Sequence, residues 1–518
     1  MFSDDITQAR YCLPGESTWD HVCERMDHVW STVDAPQSLR HPFQHFMRQK
    51  KFIPGGRILR NAGLKRHQMS NCFLFSVEDS REGWGEITQK ATVTLMTGGG
   101  VGVDYGHLRE RGRVLNSTIG VASGPIPLIR TINEIGRGVQ CGGFRRSALY
   151  ASLPWYHPDI FEFIHMKDWP DWLQEQKAND MEVAAPGDMT NISVRLDRAF
   201  FSAFSNPDSA MHKWARDVYT ETVKQMVKTG EPGFQVDFDG QVLRNACTEI
   251  ISKDDSDSCV LGALNFARLS YGELEEATHI ATAFLLAVTE YNQSPTKKCE
   301  EVQKRNRRLG LGVMGIGEWF LANGLPYGSQ EIIPWFKLYR NASVASGYYW
   351  SDSWGFPFPV AIRAIAPTGT ISIVAETTSG IEPLYAPAYE RRFLTKAGFD
   401  MEILVDPIAK KFHEQGIEVS EYAHIIPYEQ RIAFQAQIQG YVDNGISSTV
   451  NLPDTKQDPE AYGETLMKYL PALRGITAFP NGSRGLQPIT PVDFDYALAH
   501  MTRLEMQDNA CPSGICSV

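Results

Sequence analysis

The sequence predicts an α/β protein with much parallel sheet, and three observations carry the prediction. Short apolar runs of strand length, "NCFLFSV" from Asn71, "NISVRL" from Asn191 and "PGFQVDF" from Pro232, are rich in β-branched and aromatic residues. They alternate with stretches of helical period, "IPLIRTINEI" from Ile126 and "HIATAFLLAVTEYN" from His279. Such alternation builds parallel sheet with helices crossing over between strands, and 518 residues can bury a large core in one domain or in two or three smaller ones.

The elements follow in order. The first 70 or so residues read as helical: "STWDHVCERMDHVWSTV" from Ser17 opens on a Ser/Thr cap and carries apolar residues at helical spacing. From Asn71 the alternation begins. The stretch "KDWPDWLQEQKANDMEVAAPGDMT" from Lys167 is polar, holds two prolines and has no clean period, which predicts a long surface loop. "GLGVMG" from Gly310 matches G-x-G-x-x-G, but "QKRNRR" precedes it in place of a buried strand, so close backbone packing is the better reading of its glycines. No repeat of fixed period interrupts the pattern.

Composition excludes several classes of function. The apolar and charged shares, 42% and 21%, are those of an ordinary soluble protein, and a net charge of −11 argues against a surface built for nucleic acid or anionic lipid. The N-terminus "MFSDDITQARYCLPGEST" is acidic where a signal peptide is basic. The long apolar stretch from Gly310 is broken by Glu318 and by glycines, so no membrane span is expected and a cytoplasmic location is, or the host cytoplasm for a viral source. Nine cysteines are too few for a disulfide scaffold, and the odd count fits a reducing compartment. Cys12, Cys23, Cys141 and Cys299 have no polar constellation around them and read as buried inert thiols. No zinc-type spacing occurs, so no metal site is expected.

"RNACTEI", residues 244–250, is different. Asn245, Cys247 and Glu249 alternate strictly, and on an extended chain all three would face one way. An amide, a thiol and a carboxylate together make poor core material, which points to a reaction needing a thiol beside a base and a hydrogen-bond donor. "APTGTISI", Ala366 to Ile373, is a Pro-fixed turn followed by Gly and hydroxyl residues; it reads as a phosphate cradle or as a plain helix cap.

These stretches, with Cys72 in "MSNCFLFSVEDS", Cys259 in "DSCVLGALNF" and the terminal "CPSGICSV", occur in the order and at the rough separations of the large catalytic subunit of ribonucleotide reductases. The resemblance runs from "RYCLPGES" through "PGGRILRNAG", "GGGVGVDYGHLR" and "SGPIPLIR" to the chain end. It implies an enzyme that reduces ribonucleoside di- or triphosphates, folded as a ten-stranded α/β barrel of two five-stranded parallel halves around a finger loop. The implied organisation is a mainly helical region over 1–70 without an ATP-binding cone, the barrel over 71–490 and a flexible tail over 491–518. Such a compact form resembles phage and some bacterial members.

The resemblance assigns roles. Cys247 carries the thiyl radical that takes the 3'-hydrogen of the ribose, its S–H bond being similar in strength to an activated ribose C–H bond. Glu249 is the base on the 3'-hydroxyl, Asn245 holds the ribose hydroxyls, and Cys72 with Cys259 supplies two electrons by closing to a disulfide. Cys511 and Cys516 relay reducing equivalents from thioredoxin or glutaredoxin. Pro367, Thr368, Gly369, Thr370 and Ile371 bind substrate phosphates, with Ser70 near the substrate and Mg2+ accompanying the nucleotides. A dNTP or ATP effector is implied at Asp79 and Ser80, at a loop near "GRVLNSTIGVASG" and at a second loop before "TNISV", in a homodimer or a monomer.

The radical source is read from "LRGITAFPNGSRG", where Ala478 and Phe479 stand in place of the two tyrosines of partner-dependent subunits. That stretch and "YVDNGISSTVNLP" look like class II enzymes, which implies adenosylcobalamin. The alternative is a class I-type large subunit fed by a separate small subunit. A non-catalytic nucleotide-binding relative is the third reading, and Cys247 and Glu249 argue against it.

Overall fold

The parallel sheet forms where the apolar runs lie. In the computed structural model, which describes residues 2–500 except 116–118, 141–146, 181–182, 396–397 and 484–488, five strands lie side by side: Cys72–Ser76, Gly100–Asp104, Leu149–Pro154, Thr190–Leu196 and Gly233–Val236, each parallel to the next. Nearly every residue of these strands is buried. Burial on both faces is why Cys72–Ser76 reads as a near-continuous apolar run, while Thr190–Leu196 alternates and buries Ser193 and Arg195, the latter paired with Asp104. The helices Arg81–Met96, Ile126–Gly138 and His212–Thr229 make crossovers between them.

At one side Gly233–Val236 pairs antiparallel with Gly475–Pro480, which runs parallel to Thr449–Leu452; at the other Cys72–Ser76 pairs antiparallel with Asp257–Ser258. The result is an eight-stranded mixed sheet. A three-stranded sheet joins Phe52–Pro54, Val260–Asn265 and Leu309–Met314, the last two parallel. Single parallel bridges extend it from Leu311 to Arg363 and from Ile365 to Ile446. The expected regular ten-stranded ladder is therefore met on one side and reduced to isolated bridges on the other. Pro359 and Pro367 bracket the bridged segment and have no N–H to give a ladder.

The first 70 residues are mainly helical as expected, but Phe52–Pro54 enters the sheet antiparallel to Val260–Asn265. This joins the helical region to the main core: Trp30 and Phe43 pack on Phe284 of the helix Leu274–Tyr291, Phe43 and Phe284 stacking at 4.3 Å.

Two readings need adjustment. The stretch from Lys167 is not all loop, since Asp171–Asn179 is a helix. Asp171 after Pro170 is an N-terminal signal, and Leu173 and Lys177 suit a helix, though its one buried residue leaves almost no amphipathic period to read. Lys177 then ties the segment to Asp188 at 2.7 Å. "GLGVMG" is itself most of the strand Leu309–Met314, and a Cβ at Gly312 would lie 2.5 Å from the Ala364 carbonyl oxygen, as close packing requires.

Between the sheets stands a hairpin. Leu243–Arg244 pairs antiparallel with Ile251–Ser252, leaving residues 245–250 as its loop. Its backbone presses on Gly102, where a Cβ would sit 1.8 Å from the Arg244 carbonyl oxygen. No side chain can be accommodated there without moving the hairpin or the strand. Gly102→Ala is expected to destabilise the fold by about 2 kcal/mol or more, on the scale of overpacked cores, as measured by urea unfolding; an unchanged midpoint would show that the hairpin is not held where described.

Candidate active site

The loop at 245–250 is a turn, and this corrects the expectation of one strand face. Thr248 N–H donates to the Asn245 carbonyl at 3.0 Å and Thr248 takes a left-handed φ of 68°. The Asn245 side-chain oxygen accepts the Ile250 N–H at 2.9 Å, so this amide helps close the reversal. A hairpin that must turn within six residues cannot stay extended. Asn245, Cys247 and Glu249 are nonetheless brought to one place.

A strand on one side and the segment before Ile446 on the other grip the loop. Asn191 Nδ2 donates to the Ala246 carbonyl at 3.2 Å, Gly445 N–H donates to the Glu249 carbonyl at 2.6 Å, and Asn444 Oδ1 accepts the Ile251 N–H at 3.4 Å. A Cβ at Gly445 would lie 2.9 Å from the Thr248 carbonyl oxygen. The loop is thus placed largely by contacts to its backbone.

Asn245 and Glu249 are buried, at 0% and 1% exposure, while Cys247 is half-buried. Among the described residues, Asn245 Nδ2 and Glu249 Oε2 make no hydrogen bond of good geometry, although the amide lies close enough to the carboxyl to favour its ionised form. Buried polar atoms of this kind ask for a ligand. Burial pushes the Glu249 carboxyl up to about 7, with the Asn245 amide opposing part of the rise. A carboxyl that titrates near neutrality suits general-base work.

Cys72 opens the strand Cys72–Ser76, and Cys259 follows the pairing of Ser258 with Phe73. Asn71 N–H donates to the Cys259 carbonyl at 3.3 Å, so the two cysteines lie on neighbouring segments. Cys72 packs with Ala246, the residue before Cys247, and Cys259 packs with Ile250. Burial holds the Cys259 thiol well above its ordinary range, and nearby Cys72 and Glu249 add to the effect. The tertiary fold brings Cys72 and Cys259 against the turn that carries Asn245, Cys247 and Glu249.

The other predicted residues are spread further. Pro367, Thr368 and Thr370 are half-exposed, Gly369 and Ile371 are buried, and Gly369–Ala375 is a short helix with no side-chain N-cap. Its first N–H groups are therefore open to an acceptor. Thr368 has a left-handed φ of 55°, and its hydroxyl accepts the Gly380 N–H at 2.9 Å. Ser70 is fully buried, its hydroxyl accepting from Gln303 at 2.8 Å and Asn292 at 3.1 Å. Cys511 and Cys516 lie outside the described residues, as do Cys141 and part of both expected effector loops; of the tail from 491, Phe494–His500 is a helix. Cys23 and Cys299 are buried as expected, whereas Cys12 is half-exposed because it sits in the loop after the first helix.

Ser80 caps the helix Arg81–Met96 through the Gly83 N–H at 2.9 Å, and Asp79 pairs with Arg109 at 2.7 Å. Asp79 and Arg109 line a pocket of about 550 Å³ with His107, Arg113, Tyr156 and His157. Arg113 lies in the expected effector loop "GRVLNSTIGVASG", whereas sequence reading missed His107, Arg109, Tyr156 and His157, and it missed Asn191, Asn444, Gly102 and Gly445. "GGGVGV" signalled close packing at Gly102; nothing local signals the others, which act through segments distant in sequence.

Comparison with known proteins gives one answer. A family model described as the ribonucleotide reductase barrel domain matches residues 70–224, 208–339 and 360–470. A vitamin B12-dependent ribonucleoside-diphosphate reductase of Thermoplasma acidophilum is 27% identical, over 90% of this chain and 68% of that protein. One of Mycobacterium tuberculosis is 27% identical, over 92% and 79%. Among solved structures, the class Id ribonucleotide reductase alpha subunit of Actinobacillus ureae superposes with a TM-score of 0.76 at 17% identity, over 93% of this chain and 97% of that one, which is a likeness of fold.

Glu249 generates a pH prediction. Its folded carboxyl titrates near 7, above the ordinary carboxylate value it regains on unfolding. The folded chain therefore binds this proton more tightly, and the stability it contributes is present at acidic pH and lost as pH rises through 7. Between pH 5 and pH 8 the unfolding free energy of the wild type should fall by about 2 to 3 kcal/mol more than that of Glu249→Gln; parallel curves in urea titrations would contradict the assignment.

Proposed function

The chain belongs to the ribonucleotide reductase family, and from that premise we propose how its own residues carry out the reaction. It is an oxidoreductase of that family, a catalytic chain for ribonucleotide reduction. One observation carries the detailed reading: Asn245 and Glu249, two buried polar side chains whose Nδ2 and Oε2 make no hydrogen bond of good geometry among the described residues, lie on the turn that carries Cys247, beside the pair Cys72 and Cys259.

In this reading Cys247, as a thiyl radical, takes the 3'-hydrogen of the ribose, forming S–H as the C–H bond breaks. Glu249 accepts the 3'-hydroxyl proton and Asn245 donates to a ribose hydroxyl. The 2'-hydroxyl leaves as water. Cys72 and Cys259 give up two electrons and two protons in becoming a disulfide, and Cys247 returns its hydrogen to C3'. Substrate phosphates rest on the open N–H groups at Gly369, Thr370 and Ile371. Cys511 and Cys516 reopen the disulfide and are themselves reduced by thioredoxin or glutaredoxin.

Two sources of the radical are in view. The relatives named as vitamin B12-dependent support adenosylcobalamin, which when bound supplies a radical by homolysis. The uncharged residues Thr477 and Phe479, half-exposed on the strand that begins at Gly475, where a Cβ would lie 3.8 Å from the Thr248 hydroxyl, would border such a group. The near-complete likeness of fold to a class Id alpha subunit favours the other reading, a radical delivered by a separate small subunit.

The pocket at Asp79 is the proposed effector site, with Arg109 and Arg113 for phosphates and Tyr156 beside the base. Asp79→Ala with Arg109→Ala should weaken dNTP binding at least ten-fold by calorimetry, leaving substrate turnover without effector unchanged.

The deciding experiment is nucleotide reduction by the purified chain with dithiothreitol, magnesium and an effector, alone, with adenosylcobalamin, and with a small subunit of the class Id type. Cys247→Ala should give no product under any condition, and Glu249→Gln should lower kcat by about 10² to 10⁴. Activity requiring adenosylcobalamin assigns class II; activity requiring the small subunit assigns the partner-dependent class. Product from Cys247→Ala would overturn the reading of the site.

A further inference from the structure

Three segments of the site meet on one buried guanidinium. Arg308 and Asp257 form an ion pair whose side chains are 5% and 0% exposed. Arg308 Nε donates to Asp257 Oδ2 at 2.8 Å, Nη1 to Asn444 Oδ1 at 3.1 Å and Nη2 to Ser252 Oγ at 3.2 Å. Each acceptor belongs to a different part of the site. Asp257 lies two residues before Cys259. Ser252 closes the base of the hairpin that carries Cys247 and Glu249. Asn444 precedes Gly445, whose N–H holds the Glu249 carbonyl.

The carboxylate is equally committed. Asp257 Oδ2 also accepts from Ser252 Oγ at 2.7 Å and from Asn306 Nδ2 at 2.9 Å, and Oδ1 accepts the Ser258 N–H at 2.8 Å. A carboxylate has acceptor sites for all four donors. A guanidinium is a rigid planar fork, so it fixes direction as well as distance. Apolar residues of similar volume would often serve stability as well as such a pair, which turns attention to what the pair orients.

We infer that Arg308 and Asp257 are positioning residues for the reduction step, holding the Cys259 segment in register with the hairpin so that the dithiol and the radical thiol address one ribose. The inference rests on the roles proposed for Cys72 and Cys259. Neither Arg308 nor Asp257 touches substrate in this arrangement. What they set is how readily the two thiols close. That closure forms one S–S bond and releases two electrons and two protons, taken up by the ribonucleotide in turnover or by an added disulfide outside it. It demands a narrow range of approach between the sulfurs.

The test uses the full chain with Cys511→Ser and Cys516→Ser and no radical source. The chain is equilibrated with oxidised and reduced dithiothreitol, and the Cys72–Cys259 disulfide is measured by thiol alkylation and peptide mass spectrometry. Two variants are compared: Asp257→Val with Arg308→Met, an apolar pair that removes the fork, and Ser252→Ala, which removes only the hairpin's contact. Circular dichroism and thermal unfolding select folded chains. We expect the disulfide equilibrium constant of the apolar pair to differ at least ten-fold from wild type and that of Ser252→Ala to move in the same direction. In the reductase assay, run in the chain that keeps Cys511 and Cys516, kcat should fall with KM unchanged. Folded variants with wild-type constants overturn the inference while leaving the dithiol roles standing. A wild-type chain whose Cys72 and Cys259 never close overturns the dithiol roles and the inference together.

Discussion

The structure depends on one close approach, that of the hairpin backbone to the strands on either side. Gly102 from the parallel sheet and Gly445 from the segment leading to Ile446 leave no room for a Cβ beside the Arg244 and Thr248 carbonyls. A six-residue turn can therefore stand between two sheets with its backbone bonded on both sides, through Asn191 and Gly445. Placing the turn this way gives it the rigidity of the scaffold.

That placement sets the electrostatics of the site. Arg244, at the foot of the turn, is 1% exposed and donates to the carbonyls of Val236, Gln241 and Leu243, and burial lowers its pKa to about 10. Glu249 at the other end is raised towards neutrality by the same burial. The two shifts have one cause and differ in consequence. Three backbone carbonyls take the Arg244 Nη groups, though its Nε has no partner among the described residues, whereas Glu249 keeps one oxygen for a ligand.

Much of the scaffold was legible in local sequence. The strands Cys72–Ser76, Thr190–Leu196 and Gly233–Val236 coincide with apolar runs, and the helices Ile126–Gly138 and Leu274–Tyr291 with periodic ones. Buried strands and amphipathic helices impose those patterns on any chain that forms them. The helix Asp171–Asn179 escaped notice because a surface helix with a single buried residue has almost no period to show. The turn at Asn245 escaped for a different reason. Strict alternation is equally available to a strand and to a tight loop, and only the Asn245 side chain folding back onto the Ile250 N–H decides between them.

Taken alone, the sequence determined the α/β class and the family, and it singled out Asn245, Cys247 and Glu249 by residue type and order along the chain. Tertiary structure decided which distant residues complete that group. Cys72 and Cys259 are separated by most of the parallel sheet in sequence and become neighbours only when Asp257–Ser258 pairs with the first strand. Arg308 and Asn444 join them through a guanidinium fork. Contacts of such long sequence separation leave no local pattern, since their geometry exists only once both sheets have closed on the hairpin.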